Sequence, residues 1–540
     1  MRAVNAKSDT GVGTVITGAQ VIDGSGAPAV AADLLIQDGL IAAMEPPDRL
    51  PVGRFPNRID AVGLVVCPGF IDVHSHADAA PLMAEDDLTK ISQGVTTEVV
   101  GNCGWSLAPL TPAHAEETIS RTRRLFPFEY GGWHRTAELF EALDAQASVT
   151  NFCPLVGHGA LRSAVLGSAA RAAGADDVQA MGSLLVEAID AGAFGMSTGL
   201  IYPPGVYSDT AELAAVASYL PADRVYTTHM RDESCGLLDS IEEALAVGRA
   251  AGCRVQISHL KSAGKANYGL VDRAIELLDK ARLDDVAVTN DAYPYTAAST
   301  GLSACLPPWV HDGGPEATLR RLRDPGALRT LREQVEDTVD TSWENIIGHT
   351  RGYGDILVSS TASHRYEGMT LAQVADELTI EPFDALVRVL VEERLEVFMV
   401  QFCMSERDVE TVLRSPFTAI GSDGSPPGNG GIQHPRLYGT FPRVLGRYVR
   451  ERQVLDLPTA IHRMTGLSAE IFGVPQRGLV TPGKVADLVC FDPATVDHPG
   501  DYLDPVRPPI GIAWVMQSGH MVVDRGRWCG IRRGARLLPV

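Results

Sequence analysis

Six side chains able to hold a metal ion recur at one kind of position in this chain: His74, His76, Cys103, His229, His259 and Asp423. His74 and His76 stand in "PGFIDVHSHAD", where Phe70, Ile71 and Val73 read as a short buried strand. Strand alternation puts the two histidines on one side. Taken singly, each residue has a plain structural explanation. A lone strand-end histidine is more often a support, Cys103 in "GNCG" reads as a small buried residue, and Asp423 after Ser422 reads as a cap. The ordered set resists that explanation. Cys103, His229 and His259 make a three-ligand zinc site that leaves one position for water. His74 and His76 are available to a second, weaker ion, with the Cys103 thiolate bridging. A metal so held lowers the pKa of its water to about 7 and polarises a carbonyl. Asp423 would then take the water's proton and pass one to the leaving group.

Such residues need a scaffold that delivers them to one place. Short apolar stretches supply it. "TTEVVGNCG" ends at Cys103, "NFCPLVGHG" at His158 and "GAFGMSTG" near Ser197. "RVYTTHMRDES" carries His229, "RVQISHLKS" His259, "VAVTNDAYPY" Asp291 and Tyr293, and "FTAIGSDGS" Asp423. With the His74 strand these make eight, and helical patterns of roughly 20–25 residues separate them. The expectation is an α/β fold, a (β/α)8 TIM barrel over residues 67–474 with its chemistry at the C-terminal strand ends. The interval before Asp423 is too long for one βα unit, so an inserted lobe is expected over about 300–415. Both ends are β-rich, with Asp-Gly turn signals, so residues 1–66 and 475–540 are expected to form one small β-sandwich domain.

Composition narrows the function. The chain has 540 residues, 45% apolar and 21% charged, and a net charge of −21. That balance argues against nucleic acid or an anionic membrane as the partner. No apolar run is long enough for a membrane span, and "MRAVNAKSDTGVG" lacks an apolar signal core. Nine scattered cysteines suit a reducing cytoplasm better than a disulfide framework.

Several longer motifs carry a family resemblance. "PGFIDVHSHAD", "GSDGS" and "GLVTPGKVADLVCFDP" resemble the metal-dependent amidohydrolase superfamily. "GNCGWSLAP", "GMSTGLIYPPG", "THMRDES", "ISHLKSAG", "DAYPYTAAST" and "HPRLYGTFPRVLG" are similar to the D-aminoacylases, or N-acyl-D-amino-acid deacylases, over about residues 15–530. The resemblance implies a zinc enzyme that hydrolyses a small-molecule N-acyl-D-amino acid. Ser197 stands where relatives with a carboxylated lysine place that residue, which agrees with a Cys103 branch. Arg436, Lys261, Tyr293 and Ser299 match the family's positions for binding the substrate carboxylate. A bidentate Arg–carboxylate pair fixes orientation as well as supplying energy. His158 either touches the substrate or supports the site, and Gly159 removes a hydroxyl common after it in the family. Trp105 replaces a smaller aromatic there, which reshapes the acyl end of the pocket. The alternatives are a relative acting on cyclic amides or dipeptides, and a barrel that binds without catalysing.

Overall fold

A computed structural model describes residues 13–540 except 51–54, 113–114, 117, 120–127, 338–341 and 429. Residues 1–12, part of the expected N-terminal β-rich segment and of the stretch expected to lack a signal core, lie outside the described residues.

The fold is α/β. Its centre is a set of parallel strands: Phe70–Asp72, Val95–Val100, Asn151–Pro154 continued by Val156–Gly157, Gly195–Gly199, Val225–His229, Arg254–Ile257, Val288–Ala292 and Thr418–Ile420. Each pairs in parallel with the next in that order. Beyond the last strand the chain returns to the first, where Asp423 N donates to His74 O at 2.7 Å and His76 N to Gly424 O at 2.9 Å. A buried charge cluster ties the same two ends together. Lys90 Nζ lies 2.5 Å from Asp72 Oδ2, 2.6 Å from Ser422 Oγ and 3.5 Å from Glu98 Oε2. Strands buried on both faces read as runs of apolar or small residues, as "GMSTG" does, and "VTTEVV" breaks that pattern only at Glu98, which the Lys90 cluster pairs. The helices between them are one-sided. Leu237–Ala251 buries Leu237, Ile241, Ala244, Leu245 and Gly248, an i, i+3/i+4 stripe turned to the strands.

The two chain ends share one nine-stranded sheet, joined where Val65–Pro68 pairs antiparallel with Leu488–Phe491. It has its own buried cluster, including Ile16, Leu34, Val66, Leu488 and Trp514. Between the seventh and eighth parallel strands lies a third unit. Ala298–Gly301 and Ile356–Thr361 flank Val397–Gln401 in an antiparallel sheet, over a separate cluster that includes Val310, Val358, Leu386 and Met399.

Candidate active site

The C-terminal ends of the parallel strands bring His74, His76, Cys103, His229, His259 and Asp423 together. Cys103 Sγ is 3.3 Å from His74 Nε2, 3.7 Å from His229 Nδ1 and 3.7 Å from His259 Nε2. Asp423 Oδ1 is 3.2 Å from His76 Nε2 and 3.5 Å from His74 Nε2. Cys103, His259 and Asp423 share an uncommon backbone: their φ values are +52°, +36° and +51°. The left-handed region costs a side-chain-bearing residue about 1–2 kcal/mol and persists only where neighbours hold it. The neighbours here are identifiable. Asp423 N is fixed by His74 O, His259 N donates to Asp291 Oδ1 at 2.9 Å, and Gly104 N, next to Cys103, donates to Ser197 Oγ at 3.0 Å. Ser197 in turn donates to Gly101 O. Gly199 is required beside this turn, since a Cβ there would meet Cys103 O at 2.1 Å. The sharp turn at each strand end swings the side chain inward.

The donor set fits a zinc ion. Zn–S of about 2.3 Å and Zn–N of about 2.0–2.1 Å at tetrahedral angles give an S···N separation of about 3.5 Å. The two Cys103–imidazole distances of 3.7 Å are close to that. Burial opposes ionisation of Cys103, yet His74, His229 and His259 hold its thiol well below its ordinary value, favouring the thiolate that binds metal. Behind the candidate ligands stands Glu233 of "THMRDES", to which the sequence alone assigns no role. Its Oε1 is 2.9 Å from His259 Nδ1, and its Oε2 is 2.6 Å from Lys261 Nζ and 3.9 Å from His229 Nε2. Burial opposes its charge, but Lys261 and then His259 hold Glu233 well below the usual carboxylate range. The Glu233 Oε1 contact is an ion-pair approach out of hydrogen-bond alignment, and its charge beside Nδ1 backs the ring whose Nε2 faces Cys103 at 3.7 Å.

The other half of the mouth carries charge pairs. Arg436, first residue of the helix Arg436–Arg443, places Nη1 2.7 Å from Asp423 Oδ2 and donates from Nη2 to Ser299 O at 3.0 Å. The Nη1 contact is an ion pair out of hydrogen-bond alignment. Burial works against the Asp423 charge, but Arg436 and then His74 hold its carboxyl well below its ordinary value. Burial would lower His76, yet Asp423 and Cys103 push it up to about 9. His434 accepts from Arg436 N at 3.0 Å through Nδ1 and donates to Ala297 O at 3.0 Å through Nε2. Burial and Arg436 hold His434 neutral. These groups open on a cavity of about 390 Å³ lined near the strands by His76, Cys103, Trp105 and Asp423, and farther out by Ser360 and Phe398 of the inserted unit.

A model of the amidohydrolase family matches residues 58–510. The N-acyl-D-aspartate deacylase of Alcaligenes xylosoxydans xylosoxydans is 36% identical over 532 residues, 97% of this chain and 95% of the relative. This chain belongs to the amidohydrolase family. Within it, the chain belongs with the D-aminoacylases. A crystal structure of D-aminoacylase superposes with a TM-score of 0.81 at 36% identity, covering 97% of this chain and 99% of that one. N-acyl-D-glutamate deacylase of Bordetella bronchiseptica, solved with zinc and a phosphonate mimic of the tetrahedral intermediate, superposes with a TM-score of 0.80 at 35% identity, covering 97% and 99%.

In this amidohydrolase the remaining residues singled out from sequence fall into two groups. Tyr293 stands behind Arg436, a residue of the cavity wall, with the Arg436 guanidinium carbon 4.9 Å from its ring centre. Its hydroxyl is buried and has no hydrogen-bond partner. Ser299 and Arg436 line the cavity. Lys261 and His158 point elsewhere. Lys261 is buried on Glu233 and 2.8 Å from His259 Nδ1. His158 Nε2 is 3.1 Å from Glu212 Oε1, which also pairs with Arg162 at 2.9 Å. Asp291, read from sequence only as a strand end, faces His74 Nδ1 at 3.3 Å and fixes the His259 backbone. A glutamate four residues after a strand-end histidine was the available signal for Glu233. Nothing local marks Asp291 as a support.

Proposed function

We propose that this amidohydrolase hydrolyses the amide bond of N-acyl-D-amino acids, releasing a carboxylate and a free D-amino acid. The observation that carries this reading is one cavity lined by Cys103, Asp423 and Arg436, with His229 and His259 each 3.7 Å from the Cys103 sulfur. Names of the relatives support the substrate class. Cys103, His229 and His259 would hold one zinc ion tightly, with His74 and His76 at a second, weaker position. Zinc there supplies a water of lowered pKa and a polarised amide carbonyl. Asp423 takes the water's proton at its carboxylate and delivers one to the departing nitrogen, so the amine leaves neutral. Arg436 receives the substrate α-carboxylate, joined by the Tyr293 hydroxyl and Ser299. With that carboxylate and the scissile carbonyl both fixed, only one enantiomer presents its side chain to the cavity. Lys261 and His158 act by support: Lys261 through Glu233, His158 through the wall beyond Gly157.

On the same footing, the eight parallel strands constitute a (β/α)8 barrel over 67–474, with the terminal sheet as a second domain and about 300–415 as an inserted lobe. Nine free cysteines agree with a cytoplasmic location. Among the described residues no helix is long and apolar enough to cross a membrane.

Amine release from paired N-acetyl-D- and N-acetyl-L-amino acids, with zinc counted on the same preparation, tests the function. The expected result is release from the D series alone with about one tightly held zinc per chain. Zinc without release from either series would move the substrate to a cyclic amide or a dipeptide. Neither zinc nor release would favour a barrel that binds without catalysing.

A further inference from the structure

A second set of metal-capable side chains lies outside the catalytic mouth. Asp232, Cys235 and His349 each offer a ligand atom, all within 4.8 Å of one another. Cys235 Sγ is 3.9 Å from Asp232 Oδ2 and 3.9 Å from His349 Nε2. Asp232 and Cys235 follow the strand Val225–His229, while His349 ends the short helix Ile346–His349 of the inserted unit. We propose that Asp232, Cys235 and His349 form a peripheral site for a zinc-like divalent cation that staples the inserted unit to the loop bearing Glu233.

The three ligands are aimed before any ion arrives. Asp232 Oδ1 accepts from Ser234 N at 2.6 Å and from Ser234 Oγ at 2.5 Å, which leaves Oδ2 turned to Cys235. Asp232 N donates to Ser240 Oγ at 3.0 Å, holding the loop on its helix. The His349 helix is fixed at its start, where Asn345 Oδ1 accepts from Gly348 N at 2.9 Å. It is fixed at its end by Gly264, at φ +90°, whose missing Cβ would meet His349 O at 2.3 Å. Only a glycine lets the loop from His259 pass so close. Cys235 is exposed, so an ion can enter and keep a water. Thiolate, imidazole and carboxylate together select zinc or copper over magnesium or calcium. Tetrahedral zinc needs ligand atoms about 3.5 Å apart, a closure of a few tenths of an ångström for the two Cys235 contacts. The ion would sit one residue from Glu233, whose backbone N donates to Glu344 Oε1 of the inserted unit at 3.3 Å.

The test uses the holoenzyme and zinc at buffered free concentrations. Wild type should take up about one more zinc per chain than Cys235→Ser or His349→Gln at the same free zinc. Both variants should keep wild-type turnover without added zinc, which checks their folding. Added zinc should also slow iodoacetamide alkylation of Cys235 about tenfold or more, because the thiolate is both ligand and nucleophile. Cys529, also exposed, should alkylate at an unchanged rate. Equal zinc uptake in wild type and both variants, with Cys235 unprotected, overturns the proposal. Loss of the extra zinc in His76→Gln but not in Cys235→Ser also overturns it, placing that ion at the catalytic mouth.

Discussion

The two halves of the catalytic mouth are built on different terms. On the side of the fifth and sixth parallel strands, ligands are backed by dedicated partners: Glu233 stands within 3.9 Å of both His229 and His259, and Lys261 neutralises it from behind. On the side of the eighth strand, Asp423 and Arg436 meet each other, in a 2.7 Å contact without hydrogen-bond alignment. The first half is a fixed socket. Under the proposed function the second would be an exchangeable pair, with an incoming carboxylate offering Arg436 a better-aligned partner than Asp423 does. A site that binds metal once and substrate repeatedly needs this division. On that proposal the Arg436–Asp423 contact would hold the base until a carboxylate displaced it from Arg436.

Three substitutions bear on that contrast. The largest effect is expected for Asp423→Asn, which removes the proton carrier and should lower kcat by roughly 10²–10⁴-fold. Zinc content by metal analysis should stay near wild type, and a large zinc loss would move Asp423 into the socket. Next comes Arg436→Met. Losing a charged double contact should lower kcat/KM by roughly 10²-fold for substrates with a free carboxylate. Carboxylate-esterified substrates should be spared. The same variant should shift the pH profile. Arg436 depresses Asp423, so removing it raises the Asp423 pKa toward its ordinary value. The acid limb of kcat/KM, where Asp423 gains its proton, should therefore move to higher pH. An unmoved limb would break the claim that the pair is coupled. Third is Glu233→Gln, which should weaken zinc affinity by about 10–100-fold, read by chelator competition. If Glu233→Gln changed KM and left zinc affinity alone, the socket and the exchangeable pair would have been assigned to the wrong halves.

The same division governs how much was legible in the sequence. The strand-end side chains that the fold gathers were readable because metal chemistry restricts residue type and strand ends restrict position. His74, Cys103, His229, His259 and Asp423 announce themselves through "HSH", "GNCG", "THM", "SHL" and "GSDGS". The supports are not so restricted. Asp291 and Glu233 are ordinary acids whose importance lies in what folding places in front of them, across 32 residues from His259 in the first case. Lys261 shows the limit from the other side. A lysine two residues from a ligand looks like a free cation in sequence, but burial forces it to find an acid, and Glu233 is the acid within reach. The inserted unit was visible only as excess length, because its antiparallel pairing depends on contacts between Ala298 and Gln401 that no local pattern encodes.

Tyr293 gives the smallest effect and the finest discrimination. Its hydroxyl is buried without a partner, an expensive state for a polar group unless something else repays it. Burial, against the pull of Arg436, pushes its pKa well above the ordinary phenol value, so it remains a donor at any working pH. In the free protein Tyr293→Phe removes an unsatisfied group and should leave stability unchanged within about 0.5 kcal/mol, or raise it. If the hydroxyl donates to the substrate carboxylate beside Arg436, the same change should lower kcat/KM about tenfold, the loss of one charge-assisted hydrogen bond. Combined with Arg436→Met, the two effects should fall short of additive, since both act on one carboxylate. Full additivity would separate Tyr293 from the exchangeable pair and make its ring, stacked under the guanidinium, the part that matters.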